Sequence, residues 1–384
     1  MYKTWVEVSR KAIQNNIIQF KKLIGNRVKL MAVVKANAYG HGLIKVGKIA
    51  IKSGANWLGV NSIDEAINLR EGGIKAPILI LGYTLLSRLK DVIKYDLRQV
   101  VYNRETIKRF GSLTPKSLKN KIKVHLKVET GTSRQGLEKE KLLELVKLIK
   151  KYPQIEIEGI YTYYANIEDT TNHNYAQQQL KRFKEAVELL ERNGIKISMK
   201  HTACSAAVIL FPETYFDMVR LGISMYGLWP SKETFVSAQD KNRKINLEPA
   251  LTWKTKIAQI KNIKAGTSIG YGLTEKISWA SRIAILPTGY WDGYDRKLSG
   301  IGNVLIKGKR CKVLGRVCMN MIIVDIGHLA SFGKKGEVKL EDEVVLLGKQ
   351  GREEITADEL AQKVGTINYE VITRINPLIP RVMI

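Results

Sequence analysis

Two residues of this chain stand where a side chain could do chemistry. The first is Lys35, in Val33-Val34-Lys35-Ala36-Asn37-Ala38-Tyr39-Gly40-His41-Gly42. The apolar run Leu30-Met31-Ala32-Val33-Val34 predicts a buried parallel strand, and the Gly-His-Gly turn leads into a helix. A lysine at the inner end of a buried strand is held stiffly where its ammonium form is disfavoured. Desolvation lowers its pKa and frees the amine to attack a carbonyl. An isolated lysine there could also simply snorkel to solvent. The second is Tyr271, in Gly270-Tyr271-Gly272. A tyrosine between glycines presents an exposed phenol on a backbone that can be closely approached, although an ordinary β-turn tyrosine has the same pattern.

The elements that must position these groups follow two patterns. Residues 28–227 alternate short apolar runs with helical patterns, and strands are predicted from Leu30, Trp57, Pro77, Gln99, Lys123, Glu156, Lys200 and Met218. Leu142, Leu145, Val146 and Ile149 share one helix face; Leu180, Phe183, Val187 and Leu190 share another. Ser62-Ile63-Asp64-Glu65 is a capping box opening the helix after the second strand. Eight βα units predict an α/β fold with an N-terminal (β/α)8 TIM-like barrel, whose active site gathers at the C-terminal strand ends. Lys35, Lys127, Tyr163, Cys204 and Arg220 lie at or near such ends. A helix with Ile13, Ile17, Phe20 and Ile24 on one face precedes the first barrel strand.

The pattern changes after Pro230. Ser231–Asn246 is polar and predicts a linker. Strand-like runs follow at Leu251–Ile260, Arg282–Leu286, Asn303–Lys307, Cys311–Ile326 and Asp342–Leu347, with one helix opening at the capping box Thr356-Ala357-Asp358-Glu359. The expected domains are a barrel over 1–234 and a mostly β domain over 235–384, to which a strand in residues 1–8 could add.

The 384 residues suffice for two domains with large cores. No apolar run reaches the roughly 18 residues of a membrane span, and the N-terminus lacks the apolar stretch of a signal peptide, so a cytoplasmic protein is expected. Cys204, Cys311 and Cys318 are an odd number without metal-ligand spacing, which predicts reduced thiols and no metal site. The net charge of +27 comes from 63 basic and 36 acidic residues, mostly lysines spread along helices such as Lys139–Lys151. A solvated lysine-rich surface accounts for this; no nucleic-acid motif or basic block accompanies it, and no nucleic-acid partner is expected. A positive field would still favour small anionic ligands.

These strings together resemble the alanine racemase family, from about residue 1 to 384 and with motifs in both domains. The resemblance implies a pyridoxal 5'-phosphate (PLP) enzyme that interconverts L- and D-alanine and supplies D-alanine for cell walls. Removing the Cα proton and returning it on the other face needs two bases. Lys35, the Schiff-base lysine, would be one. The segment Ala265–Thr274 resembles the stretch bearing the family's catalytic tyrosine, so Tyr271 would be the other. In the family that tyrosine acts from the partner subunit, which implies a homodimer with composite sites.

Asp217-Met218-Val219-Arg220-Leu221-Gly222-Ile223 resembles the segment whose arginine bonds the pyridine nitrogen; an isolated Arg220 could equally form a salt bridge. At the nitrogen its permanent charge would make ring protonation unfavourable. By the same resemblance Ser205, Gly222 and Ile223 contact the cofactor phosphate, and Tyr39 matches a further phosphate or lysine-loop contact. In His125–Gly136, Arg134 would reach the substrate carboxylate, and Lys127 occupies a position carbamylated in many members. A plain buried Lys127 beside Arg134 would be costly, a physical reason to expect neutralisation. Gly315–Asn320 resembles the partner-chain segment that binds the substrate carboxylate, here through the Met319 backbone N–H.

The chain departs from the family pattern in places. Tyr163 stands where a histidine commonly stacks on the pyridine ring, and a tyrosine can still stack. Cys204 replaces a common Asn, and Glu129 and Asn320 each replace a common Asp. Pro377 occupies the place of a tyrosine that narrows the substrate entrance. Serine is therefore an expected secondary substrate. A PLP-dependent decarboxylase would share the architecture, but such enzymes set an acidic residue at the pyridine nitrogen, and Arg220 argues against it. A non-catalytic PLP-binding protein would lack the second domain and Tyr271.

Overall fold

The computed structural model describes residues 2–115, 120–168, 170–239, 245–330 and 337–384. The chain divides into two compact units. One holds Ala12–Ala38 and Leu43–Glu248; the other holds Met1–Lys11, Tyr39–Gly42 and Pro249–Ile384. The first strand, β1 (Thr4–Val8), belongs to the second of these.

The first unit is built on eight strands: β2 (Lys29–Val33), β3 (Trp57–Val60), β4 (Ile78–Ile80), β5 (Arg98–Val101), β6 (Ile122–Lys127), β7 (Ile155–Tyr161), β8 (Met199–His201) and β9 (Met218–Leu221). Each begins within a residue of its predicted start. All pairs are parallel, in the order β8-β7-β6-β5-β4-β3-β2-β9. Two backbone bonds draw the two ends of this sheet together: Asp217 N–H to the Lys200 carbonyl and Arg220 N–H to the Ala203 carbonyl, both 3.0 Å. The result is the TIM-like barrel expected from eight βα repeats. Met31, Trp57, Leu79, Val100, Tyr161, Met199 and Met218 fill its interior with one side chain from each strand except β6.

The helices form where apolar residues recur at helical spacing. Arg10–Ile24 buries Ile13, Ile17, Phe20 and Ile24; Lys139–Ile149 and Asn174–Arg192 bury the faces read from sequence. The Ser62 box is complete, with Ser62 Oγ accepting from Glu65 N–H at 3.3 Å and Glu65 Oε2 accepting from Ser62 N–H at 3.2 Å. The expected linker at 231–246 is corrected in part: Lys232–Ala238 is a helix, capped by Ser231 and Thr234 and burying Thr234 and Ala238. A buried stripe that small and polar leaves no apolar period to read. Residues 240–244 of that expectation lie outside the described residues. Among the described residues no helix is long and apolar enough to cross a membrane.

The second unit holds β10 (Leu251–Lys256), β11 (Gln259–Ile263), β12 (Ser268–Ile269), β13 (Glu275–Lys276), β14 (Ser281–Leu286), β15 (Asn303–Ile306), β16 (Lys309–Leu314), β17 (Ile322–Asp325), β18 (Glu343–Gln350), β19 (Glu353–Ile355) and β20 (Arg381–Met383). Its main sheet runs β11-β14-β17-β16-β15-β18-β10-β1-β20. Two predicted single runs are each two strands: Leu251–Ile260 divides into β10 and β11, and Cys311–Ile326 into β16 and β17. The second break begins at Gly315, whose φ of 61° ends the extended conformation. A Cβ there would meet the Ile269 carbonyl at 2.7 Å. Sequence reading also missed the helix Asn368–Thr373. The Thr356 box is only half formed. Thr356 Oγ1 accepts from Glu359 N–H at 3.0 Å, but the Glu359 carboxylate turns to Arg310, at 2.8 and 2.9 Å.

Phe20 is fully buried and its helix neighbour Ile18 is 57% exposed. Phe20→Ala is expected to cost about 3–5 kcal/mol and Ile18→Ala less than about 0.5 kcal/mol. Urea unfolding of the two variants checks this; equal midpoints would contradict the packing.

Candidate active site

Lys35 follows β2 and opens a left-handed turn. Ala36, Asn37, Ala38 and Tyr39 have φ of 53°, 53°, 54° and 51°. Left-handed backbone costs a non-glycine residue roughly 1–2 kcal/mol, so side chains must hold the turn. Asn37 Oδ1 accepts from Leu43 N–H at 2.9 Å, and Glu65 Oε1 from Ala36 N–H at 2.5 Å. Lys35 itself is half-buried. Burial first, then the positive Arg134, lowers its pKa, while Glu65 pulls the other way.

Lys127 closes β6. Burial, then Arg134 and Arg220, lowers its pKa to about 8. Its Nζ donates to Gln135 Oε1 at 3.4 Å and lies 5.4 Å from the Tyr161 ring centre. Gln135 in turn donates to the Tyr102 hydroxyl at 3.1 Å. Glu129 orders the loop that follows. Its Oε1 accepts the N–H groups of Gly131 and Thr132 at 2.5 and 2.6 Å. Burial would raise the Glu129 pKa, but backbone bonds from this loop outweigh that and hold it low. The exposed Arg134 guanidinium lies 5.5 Å from the Tyr163 ring, and Arg220 lies 5.8 Å from the same ring.

Arg220 is buried in β9. Its Nη1 donates to His201 Nδ1 at 2.7 Å and the His201 carbonyl at 3.0 Å; Nη2 donates to the carbonyls of Thr162 and Thr202, both at 2.8 Å. A guanidinium has five N–H donors, and these bonds use the four at Nη1 and Nη2. Nε–H is left over. Because His201 Nδ1 accepts, its proton sits on Nε2 and is donated to His125 Nδ1 at 2.9 Å. His125 Nε2–H then points to Glu158 at 3.3 Å, which also meets Arg98 and Lys123. Burial pushes both histidine pKa values down, so the chain is of neutral rings. Tyr161 stacks on His201 with ring centres 4.9 Å apart.

Ser205 Oγ accepts from Gly222 N–H at 3.0 Å and Ser224 N–H at 3.5 Å, which brings Ser205, Gly222 and Ile223 together. The buried Ser224 Oγ has no hydrogen-bond partner among the described residues. Cys204, next to Ser205, is buried with its thiol pushed up to about 12, first by burial and then by Glu168. The barrel unit thus gathers Lys35, Lys127, Arg134, Tyr163, Ser205, Arg220, Gly222 and Ile223.

Tyr39, Tyr271 and Met319 belong to the other unit. The Tyr39 ring lies 6.2 Å from that of Tyr369. Tyr271 is 74% exposed between Gly270 and Gly272, whose φ values are 68° and 72°. It shares a groove with Tyr290, Arg296, Arg316 and Met319. Pro377 is exposed, and the neighbouring Asn376 Nδ2 donates to the Trp291 carbonyl at 3.0 Å. Sequence reading gave no role to Glu65 beyond its helix cap, none to Gln135 or Tyr161, and overlooked the His125–His201 pair. The signal for the histidines was available: polar residues recur at inward positions of otherwise apolar strands.

The chain is similar to known proteins along its whole length. The alanine racemase N-terminal domain model matches residues 8–230 and the C-terminal domain model residues 250–383. An alanine racemase of Desulforamulus reducens is 41% identical, covering 99% of this chain and 98% of its own. One from Leptospira interrogans is 39% identical over 100% of this chain and 96% of its own. The crystal structure of Bacillus anthracis alanine racemase with bound L-Ala-P superimposes with a TM-score of 0.91 at 37% identity, over 100% of this chain and 95% of its own. With matches of this extent in both units, the chain belongs to the alanine racemase family.

Proposed function

We propose that this protein is a PLP-dependent alanine racemase that interconverts L- and D-alanine by a two-base mechanism in the cytoplasm and supplies D-alanine for peptidoglycan. The observation that carries the reading is Arg220, whose one spare donor, Nε–H, is left when four protein bonds fix the rest. The residues fit the cofactor. Arg220 Nε–H suits a ring nitrogen. Ser205 and the N–H groups of Gly222 and Ile223 suit the phosphate, and the unpartnered Ser224 Oγ supports a polar ligand there; the family resemblance adds Tyr39. Tyr163 offers a ring face for stacking.

Bound PLP would supply a carbonyl for the lysine and a ring that accepts electrons from Cα, which makes the Cα proton acidic. Lys35 Nζ takes or gives that proton on one face, and its lowered pKa keeps more of the amine in the basic form. Tyr271 Oη serves the other face. Arg134 and the Met319 N–H hold the substrate carboxylate. Arg220, charged and without a counter-ion at Nε, disfavours protonation of a ring nitrogen beside it. Lys127, with a pKa near 8, is uncharged often enough to react with carbon dioxide, which supports its carbamylation. The family geometry supports a homodimer in which Tyr271 acts across subunits.

Borohydride treatment of the holoenzyme should fix a phosphopyridoxyl mass on Lys35. Peptide mapping that finds it on another lysine, or not at all, overturns the assignment. Lys35→Ala and Tyr271→Phe should each lose on the order of 10²–10⁴-fold in activity. A mixed dimer of the two carries one intact site and should regain about half the wild-type activity. Mixed dimers that form but stay inactive refute action across subunits.

Pro377 in place of a bulky phenol supports a wider entrance. A pocket that discriminates a methyl group rejects an added hydroxyl only by factors on the order of 10². L-Serine should therefore be racemised more slowly than alanine but measurably. Robust alanine turnover with none for serine contradicts the wide entrance. Pro377→Tyr should raise the alanine-to-serine ratio of kcat/KM.

A further inference from the structure

We infer that Glu65 is a positioning residue for Lys35, tying the turn after the lysine to the end of the neighbouring strand; this rests on Lys35 being the reacting amine. Glu65 lies in the first turn of the helix Ile63–Glu71, just after β3. Its Oε2 accepts the N–H groups of Asn61 and Ser62 at 2.9 and 3.2 Å, and its Oε1 accepts Ala36 N–H at 2.5 Å. A helix cap requires only the bond to Ser62. The bond to Ala36 reaches a different strand end and the residue adjoining Lys35.

That bond falls where the backbone most needs it. Ala36 is the first of five consecutive residues with positive φ, four of them not glycine, and its N–H has no role in a strand ladder. Without a fixed acceptor the turn can relax toward negative φ, and a change of φ at Ala36 swings the Lys35 end of β2. A carboxylate suits the junction because each oxygen has two lone pairs and no proton to clash. An amide offers one oxygen and would set an NH₂ against a backbone N–H. Glu65 also acts on Lys35 through charge. The groups that influence the Lys35 amine are Arg134, which opposes its ammonium form, and Glu65, which favours it; Lys127 and Lys35 also repel.

The test compares Glu65→Gln, Glu65→Asp and Ser62→Ala in the full chain, with PLP and after its removal. Ser62→Ala deletes the Oγ bond to Glu65 N–H but leaves all three bonds to the carboxylate. It separates helix capping from positioning. Thermal melting, kcat and KM are measured with PLP. In the cofactor-free chain, acetic anhydride labelling of Lys35 against pH, read by mass spectrometry, gives the titration of its amine.

Ser62→Ala should melt earlier with Lys35 titration and kcat unchanged. Glu65→Gln should lose roughly 10- to 100-fold in kcat, with KM within about threefold. Its Lys35 titration should move to lower pH, because removing a negative charge destabilises the ammonium form. Glu65→Asp keeps the charge but is one methylene short of spanning both strand ends. Its titration should stay near wild type while kcat falls. If Glu65→Gln folds poorly, Glu65→Asp carries the test, and wild-type kcat there overturns the inference. Glu65→Gln behaving like Ser62→Ala also overturns it. Failure to trap phosphopyridoxyl on wild-type Lys35 instead removes the functional reading on which the inference rests.

Discussion

A buried guanidinium is the constraint to which the barrel interior is fitted. Arg220 sits in β9 with no carboxylate paired to it among the described residues, and an uncompensated buried charge costs several kcal/mol. It is satisfied by three carbonyls and one imidazole instead. That choice dictates the tautomer of His201, which dictates that of His125, which directs a proton to Glu158. The ends of β7, β8 and β9 are therefore tied to one planar fork, and its remaining donor is held in a fixed direction. A lysine could not do this, having neither the plane nor the number of donors.

The same barrel end is short of negative charge. Arg134 opposes the ammonium forms of both Lys35 and Lys127, and Arg220 and Lys35 add to the effect on Lys127. The nearby carboxylates are already engaged: Glu129 with the N–H groups of its own loop, Glu65 with those of two strand ends. A phosphate or carboxylate arriving there offsets a deficit that the protein leaves open. This imbalance is local, whereas the overall +27 is spread along the chain. The surplus lysines along helices such as Lys139–Ile149 face solvent, where screening makes them nearly silent.

The second unit meets a different demand. It carries the exposed Tyr271 on a turn flanked by two glycines. Gly270 and Gly272 both adopt positive φ, and a Cβ on Gly272 would meet the Arg316 guanidinium at 2.8 Å. The sheet supports this turn through Glu275 in β13, which accepts from Gly315 N–H at 2.5 Å and from Lys312 at 2.9 Å. The Tyr271 turn and the Met319 segment thus rest on the same strand junction.

The barrel was legible because its strands are buried on both faces and its helices on one, so strand starts at Trp57 or Met218 and helix faces such as Leu142–Ile149 follow from apolar spacing alone. Lys35, Tyr271 and Arg220 could be singled out from sequence because each lies in a string of residues whose types are rarely combined. The helix at Lys232–Ala238 was not, because a cap and two small buried residues carry no periodic signal. Nor were the bonds that give the site its properties. Glu65 reads as a helix cap, and only tertiary structure brings its second oxygen to Ala36, 29 residues away in the chain. His125 and His201 are 76 residues apart and become one chain of proton donors only when β6 and β8 face each other across β7. Local sequence sets propensity, caps and apolar faces, which act within a few residues. Hydrogen-bond satisfaction and the displacement of a lysine pKa depend on which distant groups share a low-dielectric space, and only the closing of the barrel decides that.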